Sequence, residues 1–212
     1  MLVNHKLKDK TIIAFEGVDG TGKTTISRFI AEKNNYRFIH CPPDDYSKYK
    51  NFIENRFKIF PTTRFFFYLS TVWEVYQEIL NDNFHKVFLI DRYILSTLVY
   101  HKALFEKSGV EELNRLLQSE IFPPQPDLNI VFYCNADIRK ERISKRNKHK
   151  PAFDKRLEED QDLQEEIQNI YKSFPQIHLI DTSFKSIEEV ASNCERLIRI
   201  TIELKNNKMI FT

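Results

Sequence analysis

The sequence has few glycines and few cysteines, and both shortages are informative. Only four of the 212 residues are glycine, and Gly17, Gly20 and Gly22 lie within six residues of one another. Because glycine lets the main chain approach a ligand closely, this concentration marks a segment where such an approach is expected. The three cysteines have neither metal-site spacing nor the even number typical of a disulfide framework, so we expect buried free thiols.

Long apolar runs and a strong charge of one sign are also missing. No stretch approaches the roughly 18 consecutive apolar residues of a membrane span, and residues 1–10 lack the apolar centre of a secretory signal. We therefore expect a cytoplasmic protein without a membrane partner. The formal net charge of +2 is too small to indicate a nucleic-acid partner. The chain length suits one domain, residues 1–212, and an enzyme or a small-molecule binder.

Short apolar runs alternate with helical patterns along the chain. Strands are predicted over residues 11–16, 36–40, 86–91, 128–134 and 177–181. Helices are predicted between them, near residues 24–33, 48–60, 62–83, 96–105, 111–119, 137–146, 158–174 and 186–206. This alternation favours an α/β fold with a parallel, doubly wound sheet.

The glycine-rich segment matches a phosphate-binding pattern. Residues 17–24, GVDGTGKT, fit G-x-x-x-x-G-K-[ST] between a predicted strand and a predicted helix. In this pattern, backbone N–H groups at the helix N-terminus surround phosphate oxygens. The predicted ATP-binding set is Gly17, Asp19, Gly20, Thr21, Gly22, Lys23, Thr24 and Thr25. Lys23 is expected to reach the β- and γ-phosphates, and Thr24 to bind Mg²⁺. The loop alone fits an ATPase, a GTPase or a kinase.

A pair of charged residues ends the third predicted strand. Asp91 and Arg92 stand at its carboxyl end, where ligands of open α/β sheets bind. An acid beside Mg²⁺ and a guanidinium facing phosphate oxygens suit phosphoryl transfer between two anions. The pair therefore favours a kinase, with a surface ion pair that closes the strand end as the alternative.

Several motifs together resemble a known family. Residues 15–25 (FEGVDGTGKTT), Asp91-Arg92-Tyr93 with Ser96-Thr97, and Tyr100-His101 are similar to the thymidylate kinase family of nucleoside monophosphate kinases. The similarity covers about residues 10–200. It implies a P-loop NTPase fold with strand order 2-3-1-4-5, flanked by helices. It also implies ATP and Mg²⁺ as cofactors, thymidine 5′-monophosphate as the nucleotide substrate, and a homodimer.

The resemblance gives roles to residues on the acceptor side. Arg92 is expected to bind the acceptor's 5′-phosphate. Asp19 is expected to lie on the deoxyribose side of the acceptor and to help orient Arg92. Asp91 is expected to organise Mg²⁺ and the attacking oxygen. Tyr68 stands where the family stacks an aromatic ring on thymine, with core packing as the alternative. The acceptor pocket is expected to include Ser96 and Tyr100 as well.

The phosphate-binding loop carries Thr21 between two glycines and has no arginine of its own. Residues 137–156 contain nine Lys or Arg against three acids. By resemblance they form a basic lid, over about residues 142–156, in which Arg142 and Arg146 stabilise the transferred phosphoryl group. A solvated helical hairpin is the alternative.

Two positions depart from the family's pattern. Residues 40–45, HCPPDD, contain no arginine where the family has one that contacts the acceptor phosphate. Val72 replaces a second arginine, and Arg64 is expected to substitute for it. A nucleoside kinase, in which Asp44 or Asp45 acts as general base, is therefore an open alternative. A regulatory ATP-binding protein without efficient transfer is another.

Overall fold

The structure is a computed structural model that describes residue 7 and residues 9–57, 60–105, 122–145 and 160–210. Its strands are β1 (Thr11–Glu16), β2 (Arg37–His40), β3 (Val87–Asp91), β4 (Leu128–Tyr133) and β5 (Ile177–Asp181). Its α-helices are α1 (Lys23–Asn34), α2 (Lys50–Phe57), α3 (Pro61–Asn81), α4 (Ile94–Phe105), α5 (Ala136–Ser144), α6 (Gln161–Ser173) and α7 (Ile187–Ile210). A 3₁₀ helix covers Asp44–Tyr49.

The strands form one parallel sheet in the order β2-β3-β1-β4-β5. The central strand β1 pairs with β3 on one side, where Ile13 lies opposite Leu89, and with β4 on the other. Every residue of β1 is buried, as expected for a strand covered on both faces. The predicted α/β fold, with a five-stranded sheet flanked by helices, is confirmed.

Alternate residues of β1 separate the core into two layers. Ile12 and Ala14 face the layer that holds Val72 of α3, whereas Ile13 and Phe15 face the layer that holds Ile30 of α1. Cys41, Cys134 and Cys194 are buried free thiols, as expected. None of the described helices combines the length and apolar character that crossing a membrane requires.

Helix bounds differ from prediction where side chains cap or break the helical pattern. The predicted helix at 62–83 begins with Pro61 at its first turn. It ends at Asn81 because Asp82 Oδ1 accepts the N–H groups of Phe84 (2.7 Å) and His85 (2.8 Å). The predicted helix at 48–60 is preceded by the 3₁₀ segment, in which Tyr46 N–H donates to Pro43 O. The helix predicted at 111–119 lies outside the described residues.

Candidate active site

The phosphate-binding loop joins β1 to α1 through a backbone that only glycine adopts easily. Gly17 and Gly20 have φ angles of 126° and 85°. A Cβ at Gly17 would lie 2.3 Å from the carbonyl oxygen of Phe132, and one at Gly20 would lie 2.7 Å from Cγ of Arg139. The loop is therefore packed tightly against β4 and α5.

Lys23 begins α1 and turns its ammonium back into the loop. Its Nζ donates to the carbonyl oxygen of Val18 at 2.8 Å, and the Thr21 hydroxyl donates to the same oxygen at 2.8 Å. Burial lowers the pKa of Lys23 to about 8, an effect that the positive charge of Arg92 increases and the carboxylate of Asp19 opposes. The loop thus encloses a cation at the place where the motif requires one.

Thr24, in the first turn of α1, meets Asp91 at the carboxyl end of β3. The Thr24 hydroxyl donates to Asp91 Oδ2, and Nδ1 of His40 lies 3.3 Å from the same oxygen. Asp91 Oδ1 is buried and has no hydrogen-bond partner among the described residues. Burial alone would raise the pKa of Asp91, but the hydrogen bond with His40 and the charge of Lys23 hold it below its usual value. An ionised oxygen without a partner, beside a hydroxyl, fits a hard cation such as Mg²⁺.

Arg92 connects the turn after β3 to the phosphate-binding loop. Its Nη2 lies 2.6 Å from Asp19 Oδ1, and its Nη1 donates to Gly17 O at 3.2 Å. The guanidinium carbon lies 5.3 Å from the centre of the Tyr100 ring. The structure therefore brings together Asp19, Arg92 and Tyr100, beside the residues that fit phosphate and Mg²⁺.

Glu16 at the end of β1 is a site residue that the sequence analysis missed. Its side chain is fully buried, and Oε1 accepts the N–H of Tyr93 at 2.9 Å. Oε2 accepts the Ser96 hydroxyl, which lies 2.9 Å from the hydroxyl of Tyr171. Burial raises the pKa of Glu16, whereas the hydrogen bonds from Ser96 and Tyr93 oppose that rise. An acid at the end of an otherwise apolar strand was the signal that could have revealed it.

Arg64 lies on α3 and is paired with an acid of α2. Its Nε and Nη2 donate to the two carboxylate oxygens of Glu54, at 2.8 and 2.9 Å. The Tyr68 hydroxyl also donates to Glu54, and the Arg64 guanidinium carbon lies 4.7 Å from the centre of the Tyr68 ring. Arg64 is 5% exposed. Arg64 therefore forms a buried ion pair with Glu54 between α2 and α3, and its contact with the acceptor stays a prediction.

Only part of the predicted lid is described. Arg142 donates from Nη1 to the Thr182 hydroxyl (3.0 Å) and from Nη2 to the Thr182 carbonyl (2.6 Å). The Thr182 hydroxyl in turn donates to Thr21 O at 2.9 Å, so Arg142 is linked to the phosphate-binding loop. Arg146 and the lid beyond residue 145 lie outside the described residues. Thr25 is exposed on α1.

Arg139 also lies on α5, and the sequence analysis did not single it out. It is 1% exposed, and its Nη1 donates to the side chain of Gln164 on α6 at 3.3 Å. Because its Cγ fills the space beside Gly20, α5 supports the loop from beneath. The basic character of residues 137–156 therefore includes a buried cation as well as exposed ones.

The comparison with protein families decides the assignment. A model of thymidylate kinase matches residues 15–194, most of the chain. The chain belongs to the thymidylate kinase family. A thymidylate kinase from Staphylococcus haemolyticus is 28% identical over 88% of this chain and 96% of the relative. A probable thymidylate kinase from Thermoplasma volcanium is 32% identical over 76% of this chain and 84% of the relative.

Solved structures agree on the fold. Thymidylate kinase from Candida albicans superposes with a TM-score of 0.69 at 22% identity, covering 91% of this chain and 92% of that one. A deoxyadenosine kinase from M. mycoides with bound dATP superposes with a TM-score of 0.65 at 16% identity, covering 87% and 97%. The P-loop fold of this thymidylate kinase family member is therefore shared by kinases of monophosphates and of nucleosides.

The departures from the family's pattern lie on α3 and at the end of β2 in this thymidylate kinase fold. Val72 is fully buried in the core, so its position presents no polar group to an acceptor. His40, at the end of β2, contacts Asp91, and Asp44 and Asp45 are exposed at the start of the 3₁₀ helix. The phosphate-binding loop and the turn at Asp91-Arg92 both lie within the residues that the thymidylate kinase model matches.

Proposed function

We propose that this chain is a thymidylate kinase, which transfers the γ-phosphoryl group of ATP to thymidine 5′-monophosphate and releases ADP. The observation that carries the proposal is the contact between Arg92 and Asp19. It holds a guanidinium, the group suited to a second phosphate, directly beside the loop that binds the first. A protein that only binds or hydrolyses ATP has no need of this second cation.

The chain's own residues divide the work of phosphoryl transfer. Loop N–H groups and Lys23 would bind the phosphates of ATP, and Thr24 and Asp91 would hold Mg²⁺. Mg²⁺, when bound, neutralises charge on the transferred phosphoryl group. Arg92 orients the acceptor phosphate for in-line attack. Further acceptor contacts are proposed for Tyr68, Ser96 and Tyr100.

The lid is proposed to act on the transferred phosphoryl group. Arg142 and Arg146 would bring positive charge to the side of the phosphate-binding loop that carries Thr21 in place of an arginine. The link from Arg142 through Thr182 to Thr21 supports this role, because it holds the guanidinium beside the loop.

We also propose that the protein is cytoplasmic and forms a homodimer. Light scattering on the purified protein tests the dimer.

The deciding experiment compares acceptors. ADP release is measured with ATP and Mg²⁺ against thymidine monophosphate, the other deoxynucleoside monophosphates and the free nucleosides, with ATP alone as the blank. We expect preferential turnover of thymidine monophosphate. Failure to phosphorylate any monophosphate would overturn the proposal, and ATP binding without turnover of any acceptor would support a regulatory role.

A nucleoside kinase is the second candidate, and the position of Arg64 favours it. Because Glu54 binds Arg64 and Val72 is buried, we infer that neither position supplies a cation to an acceptor phosphate. A neutral acceptor needs fewer cations, and Asp44 or Asp45 would then take a proton from its hydroxyl. Turnover of free thymidine, abolished by Asp44→Asn or Asp45→Asn, would establish this activity.

A further inference from the structure

A buried carboxylate lies directly behind the acceptor arginine. Glu16 ends β1, and none of its side chain reaches solvent. Burial of a carboxylate is unfavourable unless its oxygens receive hydrogen bonds. Glu16 receives them from the main chain of Tyr93 at 2.9 Å and from the hydroxyl of Ser96. Both of these donors belong to the segment that begins at Arg92, and a third, the Tyr171 hydroxyl of α6, donates to Oε2 at 3.5 Å. The two shorter hydrogen bonds of the carboxylate therefore go to that segment.

The segment needs this support because its backbone is strained. Arg92 has a φ of 68°, a left-handed conformation that side chains with a Cβ adopt unfavourably. The end of β1 fixes this turn at two successive N–H groups. Arg92 N–H donates to Phe15 O at 2.9 Å, and Tyr93 N–H donates to Glu16 Oε1 at 2.9 Å. Without Glu16, the second N–H would be buried without a partner.

The same carboxylate also orders the side chains around the guanidinium. Because the Ser96 hydroxyl has one hydrogen, and donates it to Glu16, its oxygen is left to accept. The Tyr171 hydroxyl lies 2.9 Å from that oxygen, and Arg92 Nη1 lies 3.4 Å from it. Glu16 therefore sets the direction of an oxygen that faces Arg92, and it connects α6 to the turn.

We propose that Glu16 is a positioning residue, which holds the Arg92 turn so that the guanidinium faces the acceptor's phosphate. The role rests on the proposed transfer to a nucleotide acceptor. Glu16 touches neither reactant and acts through Arg92, Tyr93 and Ser96. Its removal allows the strained turn to relax, which displaces the acceptor cation while the phosphate-binding loop keeps its own contacts. Acceptor binding should therefore weaken and ATP binding should not.

The test compares both substrates in the Glu16→Ala and Glu16→Gln variants. KM for thymidine monophosphate and for ATP is measured from ADP release, and dissociation constants are measured by calorimetry. We expect Glu16→Ala to raise the acceptor constants about tenfold, with ATP constants within about twofold of wild type. Glu16→Gln keeps an oxygen for the Tyr93 N–H, so we expect a smaller rise of about threefold.

Val190→Ala is the matched control for lost stability. Val190 is 2% exposed and packs in the layer formed by α1 and α7, away from Arg92. We expect it to lower the melting temperature and to leave both substrate constants unchanged. If Glu16→Ala does not fold, Tyr171→Phe replaces it, because it removes one hydroxyl from the network and should raise the acceptor KM about threefold.

The outcomes separate the two claims. A wild-type chain that neither binds nor phosphorylates thymidine monophosphate would overturn the proposed function, and this role with it. If the wild type is active, but the Glu16 variants and Tyr171→Phe keep its acceptor and ATP constants, the positioning role alone is overturned. Equal weakening of both substrates would also overturn it, since that result indicates a general structural role.

Discussion

The Nη2 atom of Arg92 lies 2.6 Å from the Oδ1 atom of Asp19, so one ion pair joins the turn after β3 to the phosphate-binding loop. This ion pair orients the guanidinium before any acceptor arrives. In the proposed function, an acceptor phosphate would then meet a cation whose side-chain entropy has already been lost, which favours binding and alignment. The pair also neutralises part of the charge on an arginine that carries a positive neighbour in Lys23.

Arg92→Ala should therefore affect the acceptor far more than ATP. We expect kcat/KM for thymidine monophosphate to fall by about 10²- to 10³-fold, because a charge-assisted, oriented contact is lost. The dissociation constant of ATP should stay within about threefold of wild type. Arg196→Ala, on an exposed position of α7, is the control for loss of a positive charge. Weakening of ATP binding to the same extent would contradict the assignment.

Asp91→Asn tests the proposed Mg²⁺ site. An amide is a poorer ligand for a hard cation than a carboxylate, and the unpartnered Oδ1 would lose its charge. We expect the Mg²⁺ concentration for half-maximal turnover to rise about tenfold and kcat to fall. The measurement is a Mg²⁺ titration of ADP release. Asp162→Asn, in the exposed first turn of α6, is the control, and an unchanged Mg²⁺ dependence in Asp91→Asn would count against the site.

The fold and the phosphate-binding loop could be predicted because their signals are local in the chain. A buried strand, three glycines and the start of a helix stand within about 15 residues, and each restricts the backbone by itself. The pair formed by Glu54 and Arg64 was not predictable in this way. The two residues lie on different helices. The sequence pattern indicates a cation on α3, but it does not indicate which acid of another helix will bind that cation.

The ion pair between Arg64 and Glu54 predicts a loss of stability rather than of acceptor binding. Arg64→Met leaves the Glu54 carboxylate buried with the Tyr68 hydroxyl as a donor but without its cation, and we expect the free energy of unfolding to fall by about 3–5 kcal/mol. The double variant Glu54→Gln, Arg64→Met should recover part of that loss, because the buried charge is gone. Urea unfolding measures both. Normal stability with a raised KM for thymidine monophosphate would mean that Arg64 binds the acceptor after all.

Asp82 gives a prediction for the dependence of stability on pH. Burial alone would raise its pKa, but the N–H groups of His85 and Phe84 and the His85 ring lower it to about 2. This pKa lies below that of an aspartate in the unfolded chain, so the ionised Asp82 stabilises the folded state. That stabilisation is complete above about pH 4 and is lost as pH falls to about 2.

Urea unfolding of Asp82→Ala at several pH values tests this dependence. We expect the variant to be less stable than wild type by about 2 kcal/mol at pH 7, and the difference to shrink as pH falls from about 4 to about 2. Asn83→Ala changes an exposed neighbour that carries no titratable group, so its difference from wild type should not follow the same curve. A constant difference for Asp82→Ala at all pH values would contradict the prediction.

Two glycines of the phosphate-binding loop should respond differently to alanine. At Gly22 the φ is 92° and the nearest atom to an added Cβ, Cγ1 of Ile26, lies 4.0 Å away. Gly22→Ala should fold, with a free energy of unfolding lower by about 1–2 kcal/mol because of backbone strain. The added methyl group should obstruct the phosphates of ATP. At Gly17 the added Cβ would lie 2.3 Å from the main chain of Phe132. In Gly17→Ala the free energy of unfolding should therefore fall by more than about 3 kcal/mol, because β4 itself must move.

Thermal unfolding with and without ATP and Mg²⁺ distinguishes the two effects. Gly22→Ala should keep a cooperative transition that the nucleotide no longer shifts, because the fold survives and the binding loop is blocked. Gly17→Ala should show a much lower transition or none. If Gly22→Ala were stabilised by ATP as strongly as the wild type, the approach of the main chain to the phosphates would not depend on this position, and the phosphate-binding role of the loop would have to rest on Lys23 alone.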